Sequence, residues 1–432
     1  MSLAMSLRGR GPAGSAARTA KVLARFGATP GAMVQRLERY DALTSELGIR
    51  PTWPTTACVL ARHPEVLQRF AARGAEIPVH GLVHGDHAAM DRQRQRDTIA
   101  RAMELFARAG LEPTGFRGPY LRYNQATLEV LRELGFRYHS SQAVHFPLRS
   151  DATRGYELAL ELYSAIAARD VAVIPRLRDG LVDVPVAIPD DETLVERLRW
   201  SECAAASQWC HVLDLTFGRG DLFTIQLHPE RIPELGNALQ AVLGAARRRV
   251  PAIFIARLDE IASWWLRRSR FTLRVTRLGG CRYRIQVGAD GDATVLVRGL
   301  AISAEPWYGR DRRTDRFDFE TESARAPVVG VSHRSPDAVP RFLAEEGLPF
   351  EISDDARAYG AHVDVATARW SEGDILREIE TAPGPLVRIW RWPDGARSAL
   401  AVTGDVDALT LRDFVTRSWE TRSTSFRGWK RK

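Results

Sequence analysis

Short apolar segments alternate with amphipathic ones between residues 29 and 262, and this alternation restricts the fold more than any other feature. Strands and helices that alternate in this way form βαβ units and a parallel sheet. About seven strands over some 230 residues predict one α/β domain, a distorted (β/α) barrel at residues 21–265. The strands are predicted at residues 55–60, 76–79, 114–116, 136–140, 181–188, 222–227 and 252–255.

The pattern differs on both sides of this region. Residues 1–20 are rich in Gly, Ala, Ser and Arg, which predicts a flexible leader. Alternating segments separated by Gly-Gly and Asp-Gly turns predict a small β domain at residues 266–326. A pattern of alternating strand-like and helix-like segments predicts a small α/β segment at residues 327–390. Residues 391–432 are predicted to form a C-terminal strand and helix.

Composition argues against several classes of protein. The net charge is +8, but arginines spread along the chain carry almost all of the positive charge, and nucleic-acid binding needs clustered basic residues. We therefore expect no nucleic-acid partner. No run of about 18 apolar residues and no secretory signal is present, so we expect no transmembrane segment and a cytoplasmic location. Nothing in the sequence predicts the oligomeric state.

The predicted strand at residues 76–79 is followed by three histidines within eight residues. His80 and His84 are four residues apart, a spacing that allows two imidazoles to bind one cation, and zinc-like metals favour imidazole ligands. A hydrogen-bonded or solvated histidine pair is the alternative interpretation. His87 is expected to lie near this pair or at the surface, outside the ligand set.

Other polar side chains also follow predicted strands. Arg117 and Tyr120 occur in FRGPY, His228 in LFTIQLHP and Asp183 in LVDVPV. Because the carboxyl ends of parallel strands share one edge of a sheet, we expect these groups to meet at the mouth of the barrel.

These motifs resemble the polysaccharide deacetylase family, the NodB-homology or carbohydrate esterase 4 group. The segment TACVLARHPEVLQRFAARGAEIPVHGLVHGD is similar to the strand, helix and His-(three residues)-His metal motif of that family, FRGPY to its Arg-x-Pro-Tyr motif and IQLHP to its Leu-His motif. The resemblance covers about residues 29–262, with the motifs in the family's order. It implies a NodB-type barrel, Zn²⁺ or another divalent metal, and hydrolysis of N-acetyl groups on amino sugars of a polysaccharide or glycan precursor.

The chain departs from the family's pattern at one important place. Family members begin the barrel with a strand that ends in two aspartates, a metal ligand and a general base, but the corresponding residues here read VLARFGATPGAM. Asp405 and Asp407, in GDVDALT, follow an apolar strand near the C-terminus. A circular permutation that places this strand beside residues 58–60 would restore both acids. Alternatively, the two aspartates cap the following helix, predicted at residues 409–417.

With that permutation, the resemblance implies a role for each residue of the site. One ion would be held by His80, His84 and Asp407. Asp405 would act as the general base and His228 as the general acid, although the resemblance leaves open which aspartate is the ligand and which is the base. Arg117 would orient the base, and the backbone N–H near Tyr120 would stabilise the oxyanion.

The acidic partner of His228 is not identified by the sequence. Asp183 has the right place in the order of motifs, but the family's Asp-x-x-Asp-Trp pattern is missing around it. Asp190 and Asp191 fit helix N-capping at least as well. Aromatic residues that could stack on sugars, although such residues are more often part of a core, are Trp264, Trp265, Trp307 and Trp390.

Two other functions compete with deacetylation of amino sugars. The chain could be a catalytically inactive carbohydrate-binding or scaffold protein on the same barrel, or it could hydrolyse a non-sugar amide. The positions of Asp405 and Asp407 distinguish an active hydrolase from an inactive protein, because an inactive protein does not need these aspartates beside His80 and His84. The missing export signal favours a glycan precursor over a finished polymer.

Overall fold

Parallel strands joined by helices make up the first part of the chain in a computed structural model, which describes residues 25–365 and 370–421. The predicted leader at residues 1–20 and the end of the predicted C-terminal segment, residues 422–432, lie outside the described residues. The helices are α1 (Gly31–Ser45), α2 (Ala57–Arg62), α3 (Pro64–Ala72), α4 (Arg92–Arg108), α5 (Gln125–Glu133), α6 (Arg154–Tyr163), α7 (Glu202–Arg219), α8 (Ile232–Arg247), α9 (Leu258–Arg268), α10 (Ala338–Glu345), α11 (Glu372–Thr381) and α12 (Leu411–Glu420).

Twenty strands, many of them only two or three residues long, accompany these helices in the described ranges. They are β1 (Gly115–Phe116), β2 (Tyr138–His139), β3 (Ala143–His145), β4 (Ile166–Ala167), β5 (Arg176–Arg178), β6 (Leu181–Asp183), β7 (Val186–Ile188), β8 (Leu222–Gln226), β9 (Ile253–Ile255), β10 (Thr272–Gly279), β11 (Arg282–Gly288), β12 (Val295–Arg298), β13 (Glu305–Tyr308), β14 (Asp311–Thr314), β15 (Asp318–Glu322), β16 (Ala326–Val331), β17 (Phe350–Ile352), β18 (Tyr359–Val363), β19 (Leu386–Ile389) and β20 (Ser398–Thr403).

Strand β20 lies between two strands that precede it by well over 100 residues. It pairs in parallel with β8 on one side and with β9 on the other. All six of its residues are buried, which agrees with the apolar run SALAVT and with a strand covered on both faces. The C-terminal strand therefore enters the sheet of the first domain, and its carboxyl end points in the same direction as that of β8.

Single parallel bridges continue this sheet beyond β20. Thr52 pairs with both Thr403 and Glu76, and Thr55 pairs with both Val406 and Val79. Val79 then pairs with β1, which is followed across the sheet by β2 and β6. The carboxyl ends of these segments consequently lie along one edge.

The described strands form a mixed α/β fold, which confirms the predicted fold class. No closed ring of paired strands is found among them. β8 is the outer strand of the three-stranded sheet β8-β20-β9, and β7, which would have to close the ring, pairs with β3 instead. The predicted distorted barrel is therefore not confirmed by the strand pairing.

The strand predicted at residues 55–60 is also wrong, because most of these residues belong to α2. Ala57, Val59 and Leu60 are buried in the core. A short apolar run is compatible with a buried helix as well as with a buried strand, so the sequence pattern did not distinguish the two. The C-terminal strand accordingly lies beside Thr52 and Thr55 rather than beside residues 58–60.

The later part of the chain contains two antiparallel sheets, β10-β11-β15 and β13-β14-β12-β19, and one parallel sheet, β17-β16-β18. β12 lies in the predicted β domain and β19 in the predicted α/β segment, so their pairing joins the two ranges in one sheet. Trp264, Trp265 and Trp390 are buried and cannot stack on a bound sugar, and half-buried Trp307 packs against Trp390. Among the described residues, no helix combines the length and the apolar character needed to cross a membrane.

Candidate active site

A tight turn after the bridge at Val79 brings His80 and His84 together. Gly81 adopts a left-handed backbone with φ of 77°, and a Cβ there would lie 2.9 Å from the carbonyl oxygen of Val83, so the turn requires glycine. The two imidazole rings are 5.1 Å apart between centroids. His80 and His84, four residues apart, are thus brought together by a turn rather than by a helix.

Asp407 completes a cluster with the two histidines, all of whose ligand atoms lie within 4.8 Å of one another. Oδ1 of Asp407 is 3.5 Å from Nε2 of His80, and Oδ2 is 3.3 Å from Nε2 of His84. Nδ1 of His80 lies 2.9 Å from the carbonyl oxygen of Arg117, which only accepts hydrogen bonds, so Nδ1 carries the proton and Nε2 keeps its lone pair.

The donor atoms of this cluster fit a divalent cation. Nε2 of His80 and Oδ1 of Asp407 are buried and have no hydrogen-bond partner among the described residues. Two electron pairs that face each other in a buried site are costly unless a cation lies between them. Imidazole nitrogen and carboxylate oxygen are ligands that zinc and similar metals accept.

Asp405 lies beside the cluster but has different partners. Its Oδ2 is 3.5 Å from Nε2 of His80 and accepts a hydrogen bond of 3.0 Å from Nε2 of Gln226. Its Oδ1 accepts from Nη1 of Arg117 at 3.2 Å. Asp405 and Asp407 are two residues apart in extended backbone, where alternate side chains share a side, and both therefore face His80.

His228 follows β8 and is paired with Asp191. Nδ1 of His228 lies 2.8 Å from Oδ1 of Asp191, and its backbone N–H donates to Oδ2. Burial alone would lower the pKa of His228, but the Asp191 carboxylate outweighs it and raises this pKa well above the usual value, with a smaller contribution from Asp405. His228 is therefore a cation at neutral pH, near Asp405.

The two adjacent aspartates that the sequence left ambiguous have different partners. Asp190 Oδ1 accepts a hydrogen bond of 2.9 Å from the backbone N–H of Thr193, and burial together with the neighbouring carboxylate raises its pKa to about 7. Asp191 is the partner of His228, which sequence reasoning missed. An acidic pair directly after the predicted strand at 181–188 was the available signal. Asp183 lies outside the cluster, 3.5 Å from Nε2 of His139.

Tyr120 and His87 pack around the histidine pair without joining the cluster. The ring of Tyr120 meets that of His84 edge-on, with 4.3 Å between centroids, and its backbone is left-handed with φ of 61°. His87 is buried against Phe116, and this burial lowers the pKa of His87 to about 4. Arg117, Tyr120 and the two histidines thus come from neighbouring loops at one edge of the sheet.

Arg417 of α12 is a second site residue that the sequence did not reveal. Its Nη1 donates to Oδ2 of Asp407 at 2.6 Å. The helix is capped by Thr410 and Asp413, whose side chains bond to each other's backbone N–H. Asp405 and Asp407 therefore do not serve as the cap that was considered for them.

A narrow cavity of about 10 Å³ reaches His84 and Asp407 between α2 and α12. Its wall also contains Arg62 and Glu420, which form an ion pair. A volume of this size has room for about one water molecule. The cavity therefore gives access to the cluster but does not define a pocket for a substrate.

The fold and the site together define a class of protein. It is a mixed α/β protein with a buried cluster of two histidines and one carboxylate, a second carboxylate held by an arginine, and a protonated histidine nearby. Such a set of groups suits metal-assisted hydrolysis, in which a metal, a base and an acid act on one bond.

Comparison with known proteins supports the resemblance seen in the motifs. Residues 32–139 match the family model described as polysaccharide deacetylase. The chain is 29% identical over 136 residues to a peptidoglycan deacetylase-like protein of Gibberella zeae, covering 31% of this chain and 40% of that protein. It is 28% identical over 91 residues to a peptidoglycan deacetylase of Helicobacter pylori, covering 21% and 31%.

These matches cover only part of each protein. The chain spans less than half the length of both curated relatives. A solved structure from Mycobacterium smegmatis, described as a polysaccharide deacetylase, has a TM-score of 0.44 and 23% identity, covering 58% of this chain and 82% of that one. The family match includes His80, His84, Arg117 and Tyr120 but ends before Asp191, His228 and the C-terminal aspartates.

Proposed function

We propose that the chain is a metal-dependent N-deacetylase that removes acetyl groups from amino sugars of a polysaccharide or glycan precursor. One observation carries the proposal: Nε2 of His80 lies 3.5 Å from a carboxylate oxygen of both Asp405 and Asp407. In a circularly permuted barrel, the acids that the family places at the start of its barrel would be supplied here by the residues that directly follow β20. The printed names of the curated relatives support the substrate class.

The residues fit a bound divalent metal, Zn²⁺ or another. His80, His84 and Asp407 would hold it, with Nε2 of His80 kept free for the ion by the bond from Nδ1 to the Arg117 carbonyl. When bound, such an ion acts as a Lewis acid toward a carbonyl oxygen and lowers the pKa of water.

Asp405 would accept the proton of the attacking water. Its two oxygens each receive a hydrogen bond, from Arg117 and from Gln226, and bonds of this kind favour the ionised carboxylate. They also orient the carboxylate toward His80. Arg117 in this way positions the base without meeting the substrate.

His228 would donate a proton to the leaving amine. Asp191 keeps His228 protonated at neutral pH and holds the ring through Nδ1, which leaves Nε2 for the substrate. The left-handed backbone at Tyr120, beside His84, would direct a backbone N–H of this turn to the oxyanion.

An inactive carbohydrate-binding protein explains the site less well. Burial of two carboxylates beside a histidine costs stability unless a cation or donors compensate. Both Asp405 and Asp407 are buried, at 3% and 9% exposure. Two buried carboxylates beside a histidine are expected where these groups take part in catalysis.

Metal content and acetate release from the purified full chain test the proposal. The wild type is expected to retain a divalent metal and to release acetate from acetylated glucosamine oligomers. His84→Ala should lose metal and activity, whereas Asp405→Asn should keep metal and lose about 10²–10⁴-fold in rate. Asp183→Asn, a buried carboxylate outside the cluster, is the control. Wild-type protein without metal, or an active Asp405→Asn variant, would refute the proposal.

The cellular location is part of the same proposal. We place the protein in the cytoplasm, where a glycan precursor would be its substrate, and cell fractionation tests this location. Recovery of the chain outside the cell would redirect the substrate search to finished polymers.

A further inference from the structure

Arg417 touches the candidate metal ligand from a helix that the family match does not include. Nη1 of Arg417 is 2.6 Å from Oδ2 of Asp407, and the arginine side chain is 22% exposed. Oδ1 of the same carboxylate has no hydrogen-bond partner among the described residues and lies 3.5 Å from Nε2 of His80. Oδ2 lies 3.3 Å from Nε2 of His84 but is bound to Arg417, so the two oxygens of Asp407 differ in that only Oδ1 is without a donor.

The helix that carries Arg417 is attached firmly to the rest of the site. Asp413 accepts from Arg62 at 3.2 Å and lies 3.0 Å from Nε2 of His63. Glu420, near the other end of α12, forms an ion pair with Arg62. Because contacts on both sides of Arg417 fix the helix to α2, the position of the guanidinium relative to Asp407 is also fixed.

We propose that Arg417 is a positioning residue that makes Asp407 a one-oxygen metal ligand, by holding Oδ2 and directing Oδ1 to the ion. This role presupposes the metal site of the proposed function. A carboxylate that rotates freely can offer either oxygen or both, whereas a carboxylate with one oxygen bound to a fixed arginine offers the other.

Two effects of Arg417 on metal binding have opposite signs. Its charge repels a divalent ion, and its hydrogen bond orients the ligand. Loss of a hydrogen bond to a ligating group typically weakens metal binding by about 10–100-fold. The repulsion is reduced because the guanidinium is already paired with Asp407 and is partly exposed to solvent. Orientation should therefore dominate, so that removal of Arg417 weakens binding.

The Zn²⁺ affinity of the metal-free full chain, measured by competition with a chromophoric chelator, tests this role. Arg417→Ala is expected to weaken binding by about 10–100-fold. Arg417→Gln keeps a donor and loses the charge, and its affinity should lie closer to that of the wild type. Arg412→Ala changes an exposed arginine on the same helix and should have no effect.

Co²⁺ absorption spectra provide a second readout. Substitution of Arg417 by Ala should change the ligand-field bands, because the carboxylate can then bind through two oxygens, whereas Arg412→Ala should leave them unchanged. Alanine is the best helix former, so α12 is expected to persist, and circular dichroism checks this. Equal or tighter Zn²⁺ binding by Arg417→Ala would overturn the role of Arg417. Failure of the wild type to bind either Zn²⁺ or Co²⁺ would instead overturn the proposed function.

Discussion

Arg117 links the strand that carries the aspartates to the rest of the sheet, and its replacement tests that link without an activity assay. The guanidinium is fully buried. It donates to Oδ1 of Asp405, to the hydroxyl of Thr403, and to both the carbonyl and the hydroxyl of Ser140. Asp405 and Thr403 lie almost 300 residues from Arg117 in the sequence. Loss of Arg117 should therefore loosen the attachment of β20.

The contacts allow the size of this effect to be worked out. Arg117→Met leaves Asp405 buried with Gln226 as its remaining side-chain donor. Removal of one partner of a buried ion pair costs about 3–5 kcal/mol, since the other charge stays without compensation. The hydrogen bonds to Ser140 and Thr403 are lost as well, but the methionine side chain keeps most of the packing. We expect the free energy of unfolding to fall by about 3–5 kcal/mol.

Urea denaturation followed by tryptophan fluorescence measures this change. The double variant Arg117→Met/Asp405→Asn should be more stable than the sum of the single effects predicts, by about 1–3 kcal/mol, because the uncompensated charge is removed. Arg270→Met, at an exposed position, is the control and should change stability by no more than about 0.5 kcal/mol. Strict additivity of the two site variants would show that Arg117 and Asp405 are not paired, and would refute the geometry.

Three further predictions concern the site and its cavity. Asp191→Asn should move the basic limb of the kcat/KM profile to lower pH, because Asp191 raises the pKa of His228. The stability from the His228–Asp191 pair is complete below the usual histidine pKa and is lost as pH rises through the raised one. The difference in stability between wild type and variant should therefore shrink at high pH, to the part that the Asp191–Arg231 ion pair contributes. A kcat/KM profile that does not move would exclude His228 as the acid. Gly404→Ala should lower stability by about 2–4 kcal/mol in thermal unfolding, since its Cβ would lie 2.1 Å from the Leu227 carbonyl oxygen, and an unchanged transition would contradict this packing. Short acetylated oligosaccharides should release acetate faster than a cross-linked polymer, because His84 and Asp407 are buried and a flexible short chain reaches them more easily. Equal rates for the two substrates would contradict this limit on access.

Local patterns in the sequence predicted much of this site. Strand ends identified His80, Arg117 and His228, because apolar runs followed by polar residues mark the carboxyl edge of a parallel sheet. The same pattern recurs near the C-terminus and indicates Asp405 and Asp407 as candidates for the missing acids. The structure places all of these residues along one edge.

Other features depend on distances that no local pattern encodes. Asp190 and Asp191 are adjacent in the sequence. Only the position of His228 in the fold shows that Asp191 is the partner of this histidine and that Asp190 is the capping residue. Arg417 is one of 61 lysine and arginine residues, and a helical arginine that reaches a carboxylate has the same local sequence signal as one in solvent. The strand pairing within the predicted distorted barrel could not be derived for a similar reason, since the pairing of β7 with β3 is decided by tertiary packing rather than by strand propensity.

The central place of β20 has a consequence for synthesis on the ribosome. β8 and β9 are translated well over 100 residues before the strand that separates them. At about 5–20 residues per second, this delay lasts roughly 7–35 s. During that time both strands present unpaired edges, which favour association between chains. Nascent chains of this protein should therefore depend on chaperones that bind exposed strands until β20 has emerged.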